Sequence, residues 1–158
     1  MAGGRKNQIR IYADTSVFGG VFDEEFADAS RSFFEAVEKA KFGLVTSEVV
    51  REEISAAPER VREYFGEMLA YCQVAEVRAE TLQLQDAYIK EGIVSADYAA
   101  DALHVALATV SGAKMIVSWN FKHIVNFKKI PLYNAVNKLK GYEPIEIYSP
   151  LEVVQDED

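Results

Sequence analysis

Residues 95–118, SADYAADALHVALATVSGAKMIVS, decide the fold. The stretch Ser95–Ser111 is apolar nearly all round, which is typical of a helix enclosed in a domain core. It is too short, and too polar at its start, to span a bilayer. Gly112 ends the helix, and the short apolar run Lys114–Ser118 predicts a buried strand. The region therefore predicts a helix and a strand that are both buried in one core.

Shorter segments on either side continue the alternation of strands and helices. Further strands are predicted at Ile9–Ala13, Phe42–Thr46, Gln73–Val77 and, as an edge strand, Ile145–Tyr148. Further helices are predicted at Ala29–Lys41, Ser47–Ser55, Pro58–Tyr71 and Thr81–Glu91. Ser30 or Asp28 is the expected N-cap of the first helix, and Ser47 that of the second. Asp14-Thr15-Ser16 is expected as a polar turn. The pattern predicts an α/β fold with a mainly parallel sheet.

The length and composition suit one small domain. The chain has 158 residues, 49% of them hydrophobic, and we expect the domain at 9–150 with tails at 1–8 and 151–158. Cys72 is the only cysteine, which excludes an intramolecular disulfide and a cysteine-based zinc cage. A reducing, cytoplasmic location fits best. No apolar stretch of about 18 residues occurs, so no membrane span is expected.

The charges are unevenly distributed. Lys and Arg number 17 against 25 Asp and Glu, a formal net charge of −8 that taken alone argues against a polyanionic partner. Between Ala102 and Tyr142, however, there is no acidic residue. This stretch contains six lysines, at positions 114, 122, 128, 129, 138 and 140. The segment is either a basic binding face or a set of ordinary solvated lysines.

Two acidic positions are conspicuous because of their surroundings. Asp14 follows the first strand, and ligands of open α/β sheets bind at the carboxyl ends of strands. The alternative is that Asp14 only caps a helix or closes a turn. Asp101 is predicted in the middle of the apolar helix with Asp97 on the same face. A buried carboxylate there needs a cation, which is either a metal ion or a lysine or arginine from elsewhere.

The remaining polar groups narrow the choice of metal. Asn120 follows the strand at 114–118 and is predicted near Asp14. His104 and His123 are the only histidines, and their spacing is not that of zinc ligands, which argues against a zinc hydrolase. His104, inside a buried helix, is expected to be a core residue. Carboxylates with little histidine or sulfur form an oxygen-rich site that suits Mg²⁺ or Mn²⁺.

Three motifs together resemble the PIN-domain family, and most closely the VapC-like toxin ribonucleases of prokaryotic toxin–antitoxin pairs. They are IYADTSVFGGVFD at 11–23, LVTSEVVREEI at 44–54 and DALHVALATVSGAKMIVSWNFKHI at 101–124. The resemblance runs from Ile9 to about Tyr148. It implies a three-layer α/β/α sandwich around a parallel sheet, with an acidic cluster that binds Mg²⁺ or Mn²⁺ to hydrolyse RNA.

The resemblance also implies roles for particular residues. Asp14 matches the first acid of the family, Ser16 the small hydroxyl residue two positions later, and Asp101 the acid that opens the D-x-L-x-x-A helix. The glutamate of the second motif matches Glu53, although an alignment shifted by one position selects Glu52. Asp14, Glu53 and Asp101 are thus the expected metal ligands.

The fourth position of the family pattern departs from expectation. Asn120 stands where an acid or an amide is common, and His123 where a further aspartate is common. An amide can orient a metal-bound water but brings no negative charge, so the site has three carboxylates, or four if Asp97 takes part. We expect Asn120 and Ser16 to orient water or phosphate.

The resemblance finally implies partners. These are an RNA substrate, an antitoxin protein and a second copy of the chain in a homodimer. The expected RNA contacts, in the basic segment, are Lys122, His123, Lys128, Lys129 and Trp119, with Phe121 as a second surface for base stacking. Phe18, Phe22 and Phe26 are expected in the core rather than at a dimer interface.

The alternative function is a catalytically weakened PIN-fold module that binds RNA or protein. A small-molecule phosphatase fits poorly because no D-x-D pair follows the first strand.

Overall fold

A single five-stranded sheet, in which every neighbouring pair is parallel, forms the centre of the molecule. The computed structural model describes residues 8–154. The strands are β1 (Arg10–Ala13), β2 (Gly43–Ser47), β3 (Cys72–Ala75), β4 (Met115–Val117) and β5 (Glu146–Tyr148), in the order β3-β2-β1-β4-β5. Tyr12 pairs with Val45 of β2 and with Ile116 of β4, which places β1 in the middle.

Eight α-helices cover the sheet within the described residues. They are α1 (Thr15–Gly20), α2 (Ala27–Glu38), α3 (Glu48–Ile54), α4 (Glu59–Met68), α5 (Ala79–Lys90), α6 (Ala99–Val110), α7 (Ile130–Leu139) and α8 (Pro150–Val154). Short 3₁₀ turns at Leu69–Tyr71 and Ala96–Tyr98 precede β3 and α6. Helix α1 packs against α2, α3 and α4, and α2 packs against α8, whereas α5 packs against α6 and α7. The result is the predicted three-layer α/β/α sandwich.

The strand order reverses between β1 and β4. The chain moves outward from β1 to β3 and then crosses to β4 and β5 on the other side of β1. Because crossovers between parallel strands are right-handed, the helices before and after this crossing cover opposite faces. The connections that leave β1 and β4 diverge at this point, which is where open α/β sheets bind ligands. Asp14 and Ser118 are the first residues after these two strands.

All predicted strands and helices are present, and three helices were not predicted. The N-cap of the predicted helix at 47–55 is confirmed, because the Ser47 side chain accepts from the Val50 amide. The N-cap prediction for α2 is wrong: α2 begins after Phe26 with no side-chain cap, and Ser30 lies buried inside the helix. The expected turn at 14–16 is the start of α1.

The termini differ from expectation in one respect. Helix α8, Pro150–Val154, extends into the predicted tail at 151–158 and packs against α2. Glu152 accepts hydrogen bonds from both the amide and the hydroxyl of Ser149, which fixes the start of this helix. Residues 1–7 and 155–158 of the two predicted tails lie outside the described residues.

The core confirms the interpretation of the longest apolar helix and of the N-terminal aromatics. Along α6, Ala102 and every residue from 104 to 109 are buried. Phe18 is fully buried, with its ring centroid 4.8 Å from that of Phe34, while Phe22 and Phe26 pack against the core from its edge. No helix between residues 8 and 154 combines the length and apolarity that a membrane crossing requires.

Candidate active site at the carboxyl ends of β1 and β4

Asp14 is buried at the carboxyl end of the central strand. It is 4% exposed, and its backbone amide donates to the carbonyl of Val117 at the end of β4. Its Oδ1 accepts from the amide of Ser16 at 3.1 Å and from the Ser16 hydroxyl at 2.6 Å. Its Oδ2 accepts from the Ser118 hydroxyl at 2.6 Å. Asp14 therefore caps α1 and also lies at the point where the strand order reverses.

The charge of Asp14 lacks a basic ion-pair partner among residues 8–154. Burial raises the pKa of Asp14, while the charge of His104 and the hydroxyls of Ser118 and Ser16 oppose that rise, and nearby Glu53 adds to it. The direct contacts of the carboxylate are neutral donors rather than lysine or arginine. A buried carboxylate without such a partner is costly to keep ionised and favours a bound cation.

Glu53, rather than Glu52, points toward this site. Oε1 of Glu53 accepts from Nε2 of His104 at 2.9 Å and from the hydroxyl of Thr15. Burial by itself would raise the pKa of Glu53, but the hydrogen bond and charge of His104, together with the Thr15 hydroxyl, lower it. Glu52 is exposed. This placement agrees with the alignment of the second sequence motif that selects Glu53 rather than Glu52.

His104 connects the candidate carboxylates, and sequence reasoning missed this role. The ring is buried, with Nε2 on Glu53 and Nδ1 2.8 Å from the hydroxyl of Tyr12. Burial would lower the pKa of His104, but the hydrogen bond to Glu53 and the charges of Asp14, Glu53 and Asp101 raise it. Glu53 contacts this imidazole directly, and Asp101 lies three residues before it on α6. The available signal was the spacing, since residues three apart share a helix face.

The predicted positions of Asp101 and Asp97 need correction. Asp101 lies in the first turn of α6 and is half-buried, not in the middle of an apolar helix, because α6 begins only at Ala99. The side chain of Asp101 makes no hydrogen bond or ion pair within residues 8–154. Asp97 is exposed in the separate 3₁₀ turn before α6, so the two acids do not share one helical stripe.

Hydroxyls hold the ends of β1 and β4 together. The Ser16 hydroxyl donates to Asp14 and accepts from the amide of Trp119 at 2.8 Å. The Ser118 hydroxyl donates to Asp14 and accepts from the amide of Asn120 at 2.9 Å. The amide oxygen of Asn120 accepts from the backbone of His123 at 2.9 Å and so closes the following turn. Ser118 was not predicted as a site residue, although its place after the strand resembles that of Asp14.

Two of the predicted RNA contacts are not free surface groups. Trp119 is buried: its indole donates to the Ser30 hydroxyl at 2.9 Å and stacks on Phe26 with 4.1 Å between ring centroids. The prediction that Trp119 offers a stacking surface is therefore wrong, because the indole fills a pocket between α1 and α2. The ammonium of Lys129 donates to the carbonyl of Ile93, which ties it to the fold.

The other predicted contacts lie on one loop. Lys122 and Lys128 are exposed, and the Lys122 ammonium lies 5.5 Å from the ring centroid of Tyr98. His123 is half-buried, and its ring packs at a tilt against that of Tyr98 with 4.0 Å between the centroids. Neither ring nitrogen of His123 has a hydrogen-bond partner among the described residues. Burial and the charges of Lys129 and Lys122 lower the pKa of His123, and Asp101 opposes this. Phe121 and Phe127 are the exposed aromatic rings of this loop.

The donor types suit a hard cation, but no ready-made metal centre is present in the described residues. Within 8–154, no three His, Cys, Asp or Glu side chains are arranged to hold one ion. The carboxylates of Glu53 and Asp14 already accept hydrogen bonds from the protein. Asp101 is the third acid whose charge raises the pKa of His104. Oxygen donors of this kind match Mg²⁺ or Mn²⁺.

A family model for the PIN domain matches residues 10–122, which include Asp14, Glu53, Asp101 and Asn120. The chain belongs to the PIN-domain family. The match covers well over half of the chain, from β1 to the turn that follows β4. A comparison with curated proteins finds no match.

Solved structures share the fold. VapBC2 from Rickettsia felis, determined with a DNA fragment from their promoter, aligns with a TM-score of 0.59 and 14% identity over 89% of this chain and 98% of that one. VapC20 from Mycobacterium tuberculosis, a Sarcin-Ricin loop cleaving toxin, aligns with a TM-score of 0.54 and 13% identity over 86% and 98%. FitAcB from Neisseria gonorrhoeae aligns with a TM-score of 0.53 and 12% identity over 89% and 98%.

Proposed function

We propose that this PIN-domain protein is a divalent-metal-dependent endoribonuclease and the toxin of a toxin–antitoxin pair. The observation that carries the proposal is that Glu53 accepts hydrogen bonds from Thr15, the neighbour of Asp14, and from His104, which lies one helical turn after Asp101 on α6. These carboxylates come from three separate motifs of the sequence. None of the three carboxylates forms an ion pair with a lysine or arginine within residues 8–154, so the site favours an added cation.

Asp14, Glu53 and Asp101 are the residues that would hold Mg²⁺ or Mn²⁺. When bound, such an ion activates water and stabilises charge on a phosphoryl oxygen. The chain's own contribution is positioning: Ser16 and Ser118 fix the Asp14 carboxylate from both sides. Asp97 is exposed one turn earlier and is an additional ligand only if the 3₁₀ turn moves toward the site.

The RNA is proposed to lie along the loop after β4. Lys122 and Lys128 are exposed there, within a stretch that contains no acidic side chain. Phe121 and Phe127 are 48% and 80% exposed, so they replace Trp119 as the surfaces on which unpaired bases stack. The net charge of the whole chain is −8, which disfavours loose binding of polyanions and restricts RNA to this loop.

The partners follow from the same proposal. Two of the solved structures with this fold are VapBC2 and FitAcB. We propose an antitoxin protein as the inhibitory partner of this chain and a homodimer as its assembly state. Phe18 contributes to neither interface, because its side chain is fully buried in the monomer.

The direct test is cleavage of RNA with and without Mn²⁺. Asp14→Asn and Asp101→Asn are expected to abolish Mn²⁺-stimulated cleavage while circular dichroism and thermal unfolding report an intact fold. Asp86→Asn is the matched control, since Asp86 is an exposed acid that pairs with Lys90 on α5, away from the site. Undiminished cleavage by the Asp14 and Asp101 variants would remove both residues from the mechanism.

A second function, a PIN-fold binding module without catalysis, is favoured by one observation. At the fourth position the amide oxygen of Asn120 is used to close a turn, and His123 follows where a further acid is common in the family. Calorimetric titration of the protein with Mn²⁺ separates the two functions. A nuclease binds the ion saturably, and a binding module that has lost its metal does not.

A further inference from the structure

A chain of buried hydrogen bonds leads from the core to Glu53. The hydroxyl oxygens of Ser47 and Tyr12 are 2.8 Å apart, and Tyr12 is 2.8 Å from Nδ1 of His104. Nε2 of His104 is 2.9 Å from Oε1 of Glu53. Ser47 and Tyr12 are fully buried, and His104 is 3% exposed. The chain connects β2, β1, α6 and α3, the elements that surround the candidate site.

One arrangement of protons satisfies every atom in this chain. In this arrangement the amide of Val50 donates to the Ser47 oxygen at 3.1 Å, and the Ser47 hydroxyl donates to Tyr12. Tyr12 then donates to Nδ1 of His104, and Nε2–H donates to Glu53. Both ring nitrogens are engaged, and an unpaired nitrogen at this depth would be costly. The imidazole is therefore held in one orientation by the core behind it.

The same chain of hydrogen bonds determines which oxygen of Glu53 is free to bind a ligand. His104 and Thr15 both donate to Oε1, and Oε2 accepts no hydrogen bond from residues 8–154. The Glu53 side chain is 34% exposed, so it is the one member of the chain that reaches solvent. Hydrogen bonds behind a ligating carboxylate orient it toward the metal, and their loss typically lowers metal affinity about 10–100-fold.

We infer that His104 is a positioning residue that holds Oε1 of Glu53 and thereby presents Oε2 to the divalent ion. This inference rests on the proposed metal-dependent function. A second buried network in the protein provides the contrast. The hydroxyl of Tyr88 donates to Asn137, which also contacts Thr109, but this network joins α5, α6 and α7 without reaching Asp14, Glu53 or Asp101.

The test compares two substitutions of His104. The amide nitrogen of Gln can take the place of Nε2 and still donate to Glu53, whereas Asn reaches only as far as Nδ1 and loses that contact. Mn²⁺ affinity is measured by calorimetry, with the electron paramagnetic resonance signal of free Mn²⁺ as a second readout. We expect His104→Asn to weaken Mn²⁺ binding about 10–100-fold and His104→Gln to keep most of the affinity.

A matched tyrosine pair covers the case in which His104→Asn fails to fold. Tyr12→Phe removes the hydroxyl that holds Nδ1 of His104, and Tyr88→Phe removes a buried hydroxyl from the remote network. We expect only Tyr12→Phe to weaken Mn²⁺ binding, although both variants lose stability to urea. Equal or tighter Mn²⁺ binding by His104→Asn, or equal losses in the two tyrosine variants, would overturn the inference. Absence of saturable Mn²⁺ binding in the unsubstituted protein would instead refute the proposed function.

Discussion

The hydroxyl of Ser118 donates to Oδ2 of Asp14 at 2.6 Å, which joins two residues 104 positions apart in the sequence. The contact exists because β1 and β4 are parallel neighbours, with Ala13 paired to Val117. The residues after the two strands therefore emerge side by side at the same edge of the sheet. Asp14 is held there as a buried carboxylate by neutral hydroxyls. Because these donors do not neutralise its charge, a bound cation would stabilise it.

The buried charge of Asp14 predicts a pH-dependent stability. Its pKa is raised above that of the unfolded chain, so the folded protein binds more protons in the window between the two values. Stability is lost as pH rises through that window and stays low above it. Asp14→Asn removes this cost, and we expect it to stabilise the metal-free protein by about 1 kcal/mol near neutral pH.

Urea unfolding in EDTA at several pH values checks this expectation. The advantage of Asp14→Asn should shrink as the pH falls toward the ordinary pKa of an aspartate, where Asp14 of the unsubstituted protein becomes protonated. Ser118→Ala is the complementary variant, because loss of its hydroxyl removes a bond that lowers the pKa of Asp14. An advantage of Asp14→Asn that grows toward acid pH would contradict the assignment.

Neighbouring glutamates on α3 provide a sharper test of the ligand set. Glu53 contacts His104 and Thr15, whereas Glu52 is exposed. Glu53→Gln keeps the size of the side chain but removes the charge, so we expect Mn²⁺ affinity and cleavage to fall at least about tenfold. Glu52→Gln, one residue away, should leave both unchanged. Equal effects of the two substitutions in calorimetry and cleavage assays would show that Glu53 is not a ligand.

The basic loop predicts a charge-dependent RNA affinity. Lys122→Glu combined with Lys128→Glu reverses two exposed charges on the loop after β4. The matched pair Lys138→Glu with Lys140→Glu reverses two exposed charges at the end of α7. In EDTA, the first pair should weaken binding of single-stranded RNA at least about tenfold and reduce its salt dependence, since each phosphate contact contributes a slope of about 0.7.

Fluorescence anisotropy over a range of salt concentrations measures both quantities for this comparison. Unchanged affinity in the first pair, or an equal loss in the second, would show that the loop does not form the RNA surface. Lys129 is left out of the test because its ammonium donates to the carbonyl of Ile93, so its replacement would also disturb the fold.

Local sequence signals predicted much of the fold. The five strands, the buried helix around Val105 and the Ser47 cap all depend on apolar runs and on residues a few positions apart. Asp14 was found from the same kind of signal, because a polar residue directly after a strand lies at the ligand-binding edge of a parallel sheet. Helix α1 was missed since Asp14-Thr15-Ser16 has the composition of both a turn and a helix start.

The parts of the site that sequence reasoning misplaced depend on distant contacts. Its position in the sequence suggests that Trp119 is an exposed loop residue. In the structure, contacts with Ser30 and Phe26, which are about 90 positions away in the sequence, bury it. The sequence predicts Asp101 too deep in its helix because the break between the 3₁₀ turn and α6 at Tyr98 has no clear local signal. The sequence correctly predicts His104 as a core residue, but its contact with Glu53 joins residues 51 positions apart.

Two adjacent glycines in α1 test the packing that supports Trp119. A Cβ added at Gly20 would lie 2.6 Å from the Ser30 hydroxyl and 2.7 Å from the indole nitrogen of Trp119, whereas a Cβ at Gly19 would meet nothing within 4 Å. Gly20→Ala should therefore destabilise the protein by about 1–3 kcal/mol through overpacking. Gly19→Ala should be neutral or stabilising by up to about 1 kcal/mol, because Ala favours the helix.

Urea unfolding and Trp119 fluorescence distinguish the two variants. The Gly20 variant must push the indole away from Ser30, so its emission should shift relative to the unsubstituted protein, and the Gly19 variant should keep the original spectrum. Because the amide of Trp119 also donates to Ser16, which holds Asp14, displacement of the indole is expected to weaken Mn²⁺ binding as well. A Gly20 variant with unchanged stability and emission would show that the Trp119 pocket is looser than these contacts require.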